Sequence, residues 1–130
     1  MIKRTVLWTL VLLVLFVAAP GYSGEAVQMW KCEIDDAVNE DQVEAHAANW
    51  LAAAKKVPGG ENLEAYVLFP VAVNATGEMD VMFVVVVPSF ADWGKFWDAY
   101  GDSDAADIEE DAEEMIVCPD SVVWERFKVK

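Results

Sequence analysis

A single histidine, His46, and two cysteines, Cys32 and Cys118, are the chain's entire supply of imidazole and thiol metal ligands. A zinc site needs several of these on one centre, so no metal site and no cofactor is expected. Proton chemistry has two candidates. His46 falls beside the apolar positions Val43, Ala47 and Trp50, where an imidazole can act as a general base or a haem ligand, or be an ordinary boundary residue. Asp80 lies inside an apolar run. A buried carboxyl there would become a stronger base, and one at a wet strand start would do nothing special.

The aromatic residues are the more suggestive set. Trp50, Tyr66, Trp93, Trp97 and Tyr100 are expected to line a pocket for a flat apolar ligand, the alternative being that they fill the core of a small domain. Residues 102–114 hold eight carboxylates. A calcium loop of the EF-hand type requires glycine at its sixth position, which Asp107 occupies here, so these groups read as the wet face of a helix. Asn74-Ala75-Thr76 is a glycosylation sequon on an expected turn. The chain has no serine in a nucleophile elbow and no glycine-rich phosphate loop.

These residues sit on elements that the periodicity outlines. Residues 26–34 alternate, with Trp30, Cys32 and Ile34 on one side and Val27, Met29, Lys31 and Glu33 on the other, as in a strand. Asp41 is placed to cap a helix carrying Val43, Ala47, Trp50, Leu51, Ala54 and Val57 at helical spacing, ended by Pro58-Gly59-Gly60. Residues 63–73 form a second strand, on a sheet edge because of Pro70. A loop at 74–78 leads into a third strand at 79–87 (MDVMFVVVV), whose unbroken apolar tail predicts burial on both faces. Ser89 and Asp92 form a capping box before the stripe Phe90, Trp93, Phe96, Trp97 and Tyr100. A further amphipathic helix follows over 102–116, and residues 121–130 form the last strand.

The order β-α-β-β-α-β, with the second helical region split in two, is that of an α+β, ferredoxin-like split βαβ domain with an antiparallel sheet. In that topology the last strand runs antiparallel beside the first, which brings Cys32 and Cys118 within reach of a disulfide. Two free buried thiols are the alternative. Element order, the doubly apolar third strand and the aromatic segment PSFADWGKFWDAY together resemble the dimeric α/β-barrel superfamily, in which two ferredoxin-like subunits pack their open sheet faces together. The resemblance implies a homodimer with any pocket between sheet and helices. Its members include cofactor-independent monooxygenases and muconolactone isomerases, and no catalytic signature of theirs carries over to residues of this chain.

Compartment follows from the N-terminus. Lys3 and Arg4 precede the uncharged run 5–18, which Pro20 and Gly21 end. This is the length of a signal-peptide core and too short to span a bilayer. Residues 1–24 are therefore expected to be a signal peptide, an uncleaved N-terminal anchor being the alternative, and 25–130 one exported domain, secreted or periplasmic, with no stable membrane insertion after cleavage. The formal net charge of −14 becomes two units more negative without Lys3 and Arg4. Such acidity excludes nucleic acid as a partner, since phosphates must be met by lysine and arginine. Three functions remain: a non-catalytic binding module for a small apolar ligand or protein partner, a cofactor-independent enzyme acting on an aromatic or lactone-like substrate, and a structural dimer with a filled interior.

Overall fold

Alternation along the first strand sets the layers of the molecule. A computed structural model describes residues 24–71 and 81–130. In it β1 (Glu25–Ile34) turns Ala26, Gln28, Trp30 and Cys32 toward the helices and Val27, Met29 and Lys31 away from them. The remaining elements are α1 (Glu40–Ala54), β2 (Glu64–Leu68), β3 (Val81–Val87), α2 (Phe90–Tyr100), α3 (Asp104–Asp111) and β4 (Ile116–Arg126). The four strands form one antiparallel sheet in the order β2-β3-β1-β4. With the helices on one side, this is the ferredoxin-like split βαβ fold.

Several boundaries differ from the sequence reading. The N-cap of α1 is Asn39 rather than Asp41: its Oδ1 accepts from the Gln42 amide at 3.0 Å, while Gln42 Oε1 accepts from the Asn39 amide at 2.9 Å. A reciprocal box satisfies two otherwise orphaned donors, so the helix begins earlier and Asp41 falls in its first turn. At α2 the Ser89 hydroxyl accepts from the Asp92 amide and itself donates to the Asp92 carboxylate.

The last strand begins at Ile116, not at residue 121, and α3 is correspondingly shorter. Pairing with β1 displaces helix here, since Ile116 lies opposite Ile34 and the Met115 carbonyl accepts from the Asp35 amide. Pro119 is tolerated because β4 is an edge strand and its register against β1 shifts between Lys31 and Glu33, a bulge at which no ladder donor is needed. Strand β2 ends at Leu68, before Pro70. The expected end of β2 at 73, the turn with its sequon, Asp80 and the whole of residues 1–23 lie outside the described residues.

Two apolar clusters lie between sheet and helices. One gathers Leu63, Val85, Val87, Phe96 and Tyr100; the other gathers Cys32, Val43, Val81 and Ile116. The turn after α1 is driven against α2. Gly59 has φ +89°, and a Cβ there would stand 2.5 Å from the Asp92 carbonyl oxygen, while one on Gly60 would stand 2.2 Å from the Ala54 carbonyl oxygen. Both positions therefore require glycine, the first for its dihedral as well as its space.

A disulfide joins Cys32 on β1 to Cys118 on β4 across the bulge, so the sequence expectation of a pair replaces that of two free thiols. The link closes a loop with a sequence separation of 86 residues. Replacing both cysteines by serine is expected to lower unfolding stability by about 2–5 kcal/mol, measured by urea denaturation of the oxidised protein and the variant. A change below ~1 kcal/mol would show that the sheet alone fixes β4.

Candidate functional site

The cavity is built by placing large rings around small residues. Trp30 comes up from β1, Trp50 down from α1, and Trp97 and Tyr100, three positions apart, project from one face of α2. Ala65, Phe83 and Val85 supply a floor from β2 and β3, and the end of α3 contributes Glu109 and Glu110. These groups enclose an open cavity of about 600 Å³, within the size range of small-molecule sites. The rings stand steeply to one another: Trp30 and Trp97 are 5.9 Å apart at 61°, Trp97 and Tyr100 4.7 Å at 61°, and Trp50 and Tyr100 6.3 Å at 51°. They form the sides of a box rather than a stack.

Tyr100 ties the box together. Its hydroxyl accepts from Trp50 Nε1 at 2.8 Å and donates to the Glu109 carboxylate, with the Ala105 carbonyl 3.3 Å away. Burial, and then the bond to Glu109, pushes its pKa well above the ordinary 10.0, so the phenol stays protonated. His46 lines the same cavity from α1. Burial lowers its pKa, and the negative Glu109 offsets this only in part, leaving the imidazole neutral at pH 7 and able to accept a proton.

Of the residues expected to form a pocket, Trp50, Trp97 and Tyr100 line the cavity. Tyr66 does not: it pairs across the ladder with Val84, on the side of the sheet away from the helices, and its hydroxyl donates to Glu64 at 2.6 Å. Trp93 is committed elsewhere, its indole N–H donating at 3.0 Å to Oε1 of the buried Gln28 and its ring packing beside Phe90. Asp80 falls outside the described residues, so His46 is the proton-transfer candidate that stands with the rings.

Among the lining residues outside the expected pocket set are Trp30, Cys118 and Glu109. Trp30 carried the signal, since its parity on β1 puts it with Cys32 on the helix side. Cys118 lines the wall as a consequence of the disulfide. Glu109 gave no local signal: it looks like any other carboxylate of an acidic helix, and its bond to Tyr100 depends on the turn at Gly101–Ser103 folding α3 back. No group of three or more His, Cys, Asp or Glu among the described residues is arranged to hold a metal ion.

No protein-family model and no curated protein matches the chain. Solved structures do. A chlorite dismutase-like protein aligns over 82% of this chain with a TM-score of 0.49 and 10% identity, and the aligned part of this chain spans 46% of that longer protein. A dimeric protein of unknown function and ferredoxin-like fold from Bacteroides fragilis aligns over 81% of this chain and 99% of its own, with a TM-score of 0.48 and 11% identity. A dimeric ferredoxin-like protein of unknown function from Thermobifida fusca aligns over 85% and 94%, with a TM-score of 0.46 and 18% identity.

The raised pKa of Tyr100 has a stability consequence with a definite sign. A group whose pKa rises on folding contributes stability that is complete below its unfolded pKa, here near 10.0, and is lost as pH climbs above it. Tyr100→Phe removes that component but strands Trp50 Nε1 and costs about 1–3 kcal/mol at pH 7. The expected result, from denaturation at pH 8 and pH 11, is a less stable variant with a shallower alkaline loss. An unchanged alkaline slope would show that Tyr100 is not the group responsible.

Proposed function

We propose that this chain is an exported binding module that holds a small, flat, apolar ligand between its sheet and its helices. The observation that carries this reading is the cavity of about 600 Å³ whose sides are Trp30, Trp50, Trp97 and Tyr100. Rigid rings give a large contact area with little conformational entropy to lose on binding. A purely structural dimer calls for a filled interior, and an open box weighs against it. Export is supported by the Cys32–Cys118 disulfide, of a kind that persists in oxidising compartments. No helix of the described residues is long and apolar enough to cross a membrane.

A second reading has a specific observation in its favour. His46, neutral through burial, opens into the same cavity as the rings. A cofactor-independent enzyme acting on an aromatic or lactone-like substrate would use it as the base, with Trp50 and Trp97 as walls. Replacement of His46 by alanine separates the two readings, because a binding module keeps its ligand and an enzyme loses turnover.

The working unit we propose is a homodimer formed through the open sheet face. That face presents Tyr66, Leu68, Val122 and Trp124, all substantially exposed, around Val27, Met29, Val84 and Val86. Contiguous apolar surface of this kind marks an interaction site. Lys31 beside Asp120 and the Glu25–Arg126 ion pair at 2.7 Å give the patch charged borders of both signs, which suits a second copy of the same chain despite the net acidity. Trp124→Glu is expected to convert the dimer to a monomer in analytical ultracentrifugation while leaving the far-ultraviolet circular dichroism unchanged; a wild-type monomer at 100 µM would refute the dimer.

The ligand reading is tested by native mass spectrometry of protein purified from its exported fraction, together with titration by Nile red, a flat neutral dye. Bound dye is expected with the wild type, and about tenfold weaker binding with Trp97→Ala. A protein that is empty as isolated and indifferent to the dye would refute it.

A further inference from the structure

The rings say that a ligand is flat and apolar; the charges around them say what else it carries. The charged residues of the lining are Glu109, Glu110 and Glu113, with neither lysine nor arginine among them. The imidazole of His46 is held neutral by burial and leaves this imbalance intact. The C-terminal end of α3 adds to it. Helix carbonyls there carry partial negative charge, the last turn has no basic residue, and Ala112, which caps that end, is itself part of the cavity wall. One side of the box is thus three tryptophans and a tyrosine, and the other side is negative.

Aromatic faces and carboxylates attract the same kind of group. The negative face of an indole attracts a cation within about 6 Å, and tryptophan is the strongest of the aromatic side chains in this respect. Carboxylates near the rim add Coulomb attraction that water weakens without abolishing. Aromatic walls of three indoles and a phenol, neighbouring rings tilted 51–61° to one another, turn ring faces in different directions toward a poorly hydrated cation. An anionic aromatic ligand of the same shape would meet only like charge.

We infer that the cavity selects a cationic aromatic ligand, an arylammonium or quaternary ammonium compound whose flat body lies among Trp30, Trp50 and Trp97 and whose positive head faces Glu109, Glu110 and Glu113. This rests on the reading of the cavity as a ligand site and adds the class of ligand. Neutral shape partners bind more weakly, and anions are rejected. Glu109 has a double part, since it also receives the Tyr100 hydroxyl, whereas Glu110 and Glu113 are exposed and available to the ligand's head.

Three probes of nearly one shape test this by quenching of tryptophan fluorescence in low salt: phenyltrimethylammonium, tert-butylbenzene as its neutral isostere, and benzenesulfonate as an anion. The expected order is phenyltrimethylammonium about tenfold tighter than tert-butylbenzene, with benzenesulfonate weakest. Raising the salt to about 1 M, where the Debye length falls to ~3 Å, should narrow the gap. The double variant Glu110→Gln/Glu113→Gln, whose melting temperature is checked first, should weaken phenyltrimethylammonium about threefold or more and leave tert-butylbenzene unchanged. Equal affinity for the cation and its isostere, or a double variant that binds both as the wild type does, would overturn the charge selectivity while leaving the apolar pocket standing. If none of the three probes perturbs the fluorescence, the pocket reading itself fails.

Discussion

Burying a phenol forces the arrangement on which the site depends. Tyr100 is 9% exposed, and a hydroxyl taken out of water without a partner costs more than most single contacts return. Here it is satisfied from both sides, by Trp50 of α1 and by Glu109 of α3, while its ring packs on Phe96 and Trp97 of its own helix. Three helices are therefore positioned by one oxygen atom. Trp50, Tyr100 and Glu109, which make these bonds, are themselves part of the cavity wall, so the constraint that fixes the helices also fixes the helix side of the box.

The sheet presents two unlike surfaces, and β1 separates them. On the helix side its residues meet indoles and the disulfide; on the other side they meet an open apolar face. Val84 and Val86 are nearly covered even there, at 8% and 3% exposure, because β3 is an inner strand with Tyr66 and Met29 opposite Val84 and with Glu64 and Val27 opposite Val86. The larger residues of the flanking strands carry the exposure instead, Trp124 at 57%. The unbroken apolar run of β3 thus reflects its central place in the sheet as well as the open apolar face it shares with β1.

How much of this was legible in the sequence depends on whether the signal was local. Alternation on β1, the glycine stop after α1 and the aromatic stripe of α2 are written in neighbouring residues, and the fold follows from their order. Parity on β2 is not local: in LEAYVLFPVAV both faces carry apolar residues, so nothing in the segment says that Tyr66 looks away from the helices. The start of β4 was hidden by Pro119, which a strand tolerates only at an edge bulge, and edge and bulge are properties of the assembled sheet. Trp93 was misplaced for a similar reason, because its partner Gln28 is 65 positions away. Glu109 became part of the site only through the turn that folds α3 back onto α1 and α2.

The emptiness of the cavity is itself encoded. Five tryptophans after residue 24 give this chain ample material for a filled core, and interiors ordinarily pack to the density of organic crystals. Yet the positions that face one another inside the box are Ala47, Ala65, Ala106 and Ala112, drawn from α1, β2, α3 and the residue after it. Leucine or methionine at any of them would be compatible with its element and would bury more apolar surface. Large rings hold the walls apart while alanines decline to fill the space between, so the chain forgoes packing energy that its composition made available. A structural dimer gains nothing from that choice. In the binding reading proposed above that space is what admits a guest, and the exposed carboxylates Glu109 and Glu110 of α3 stand along one side of it.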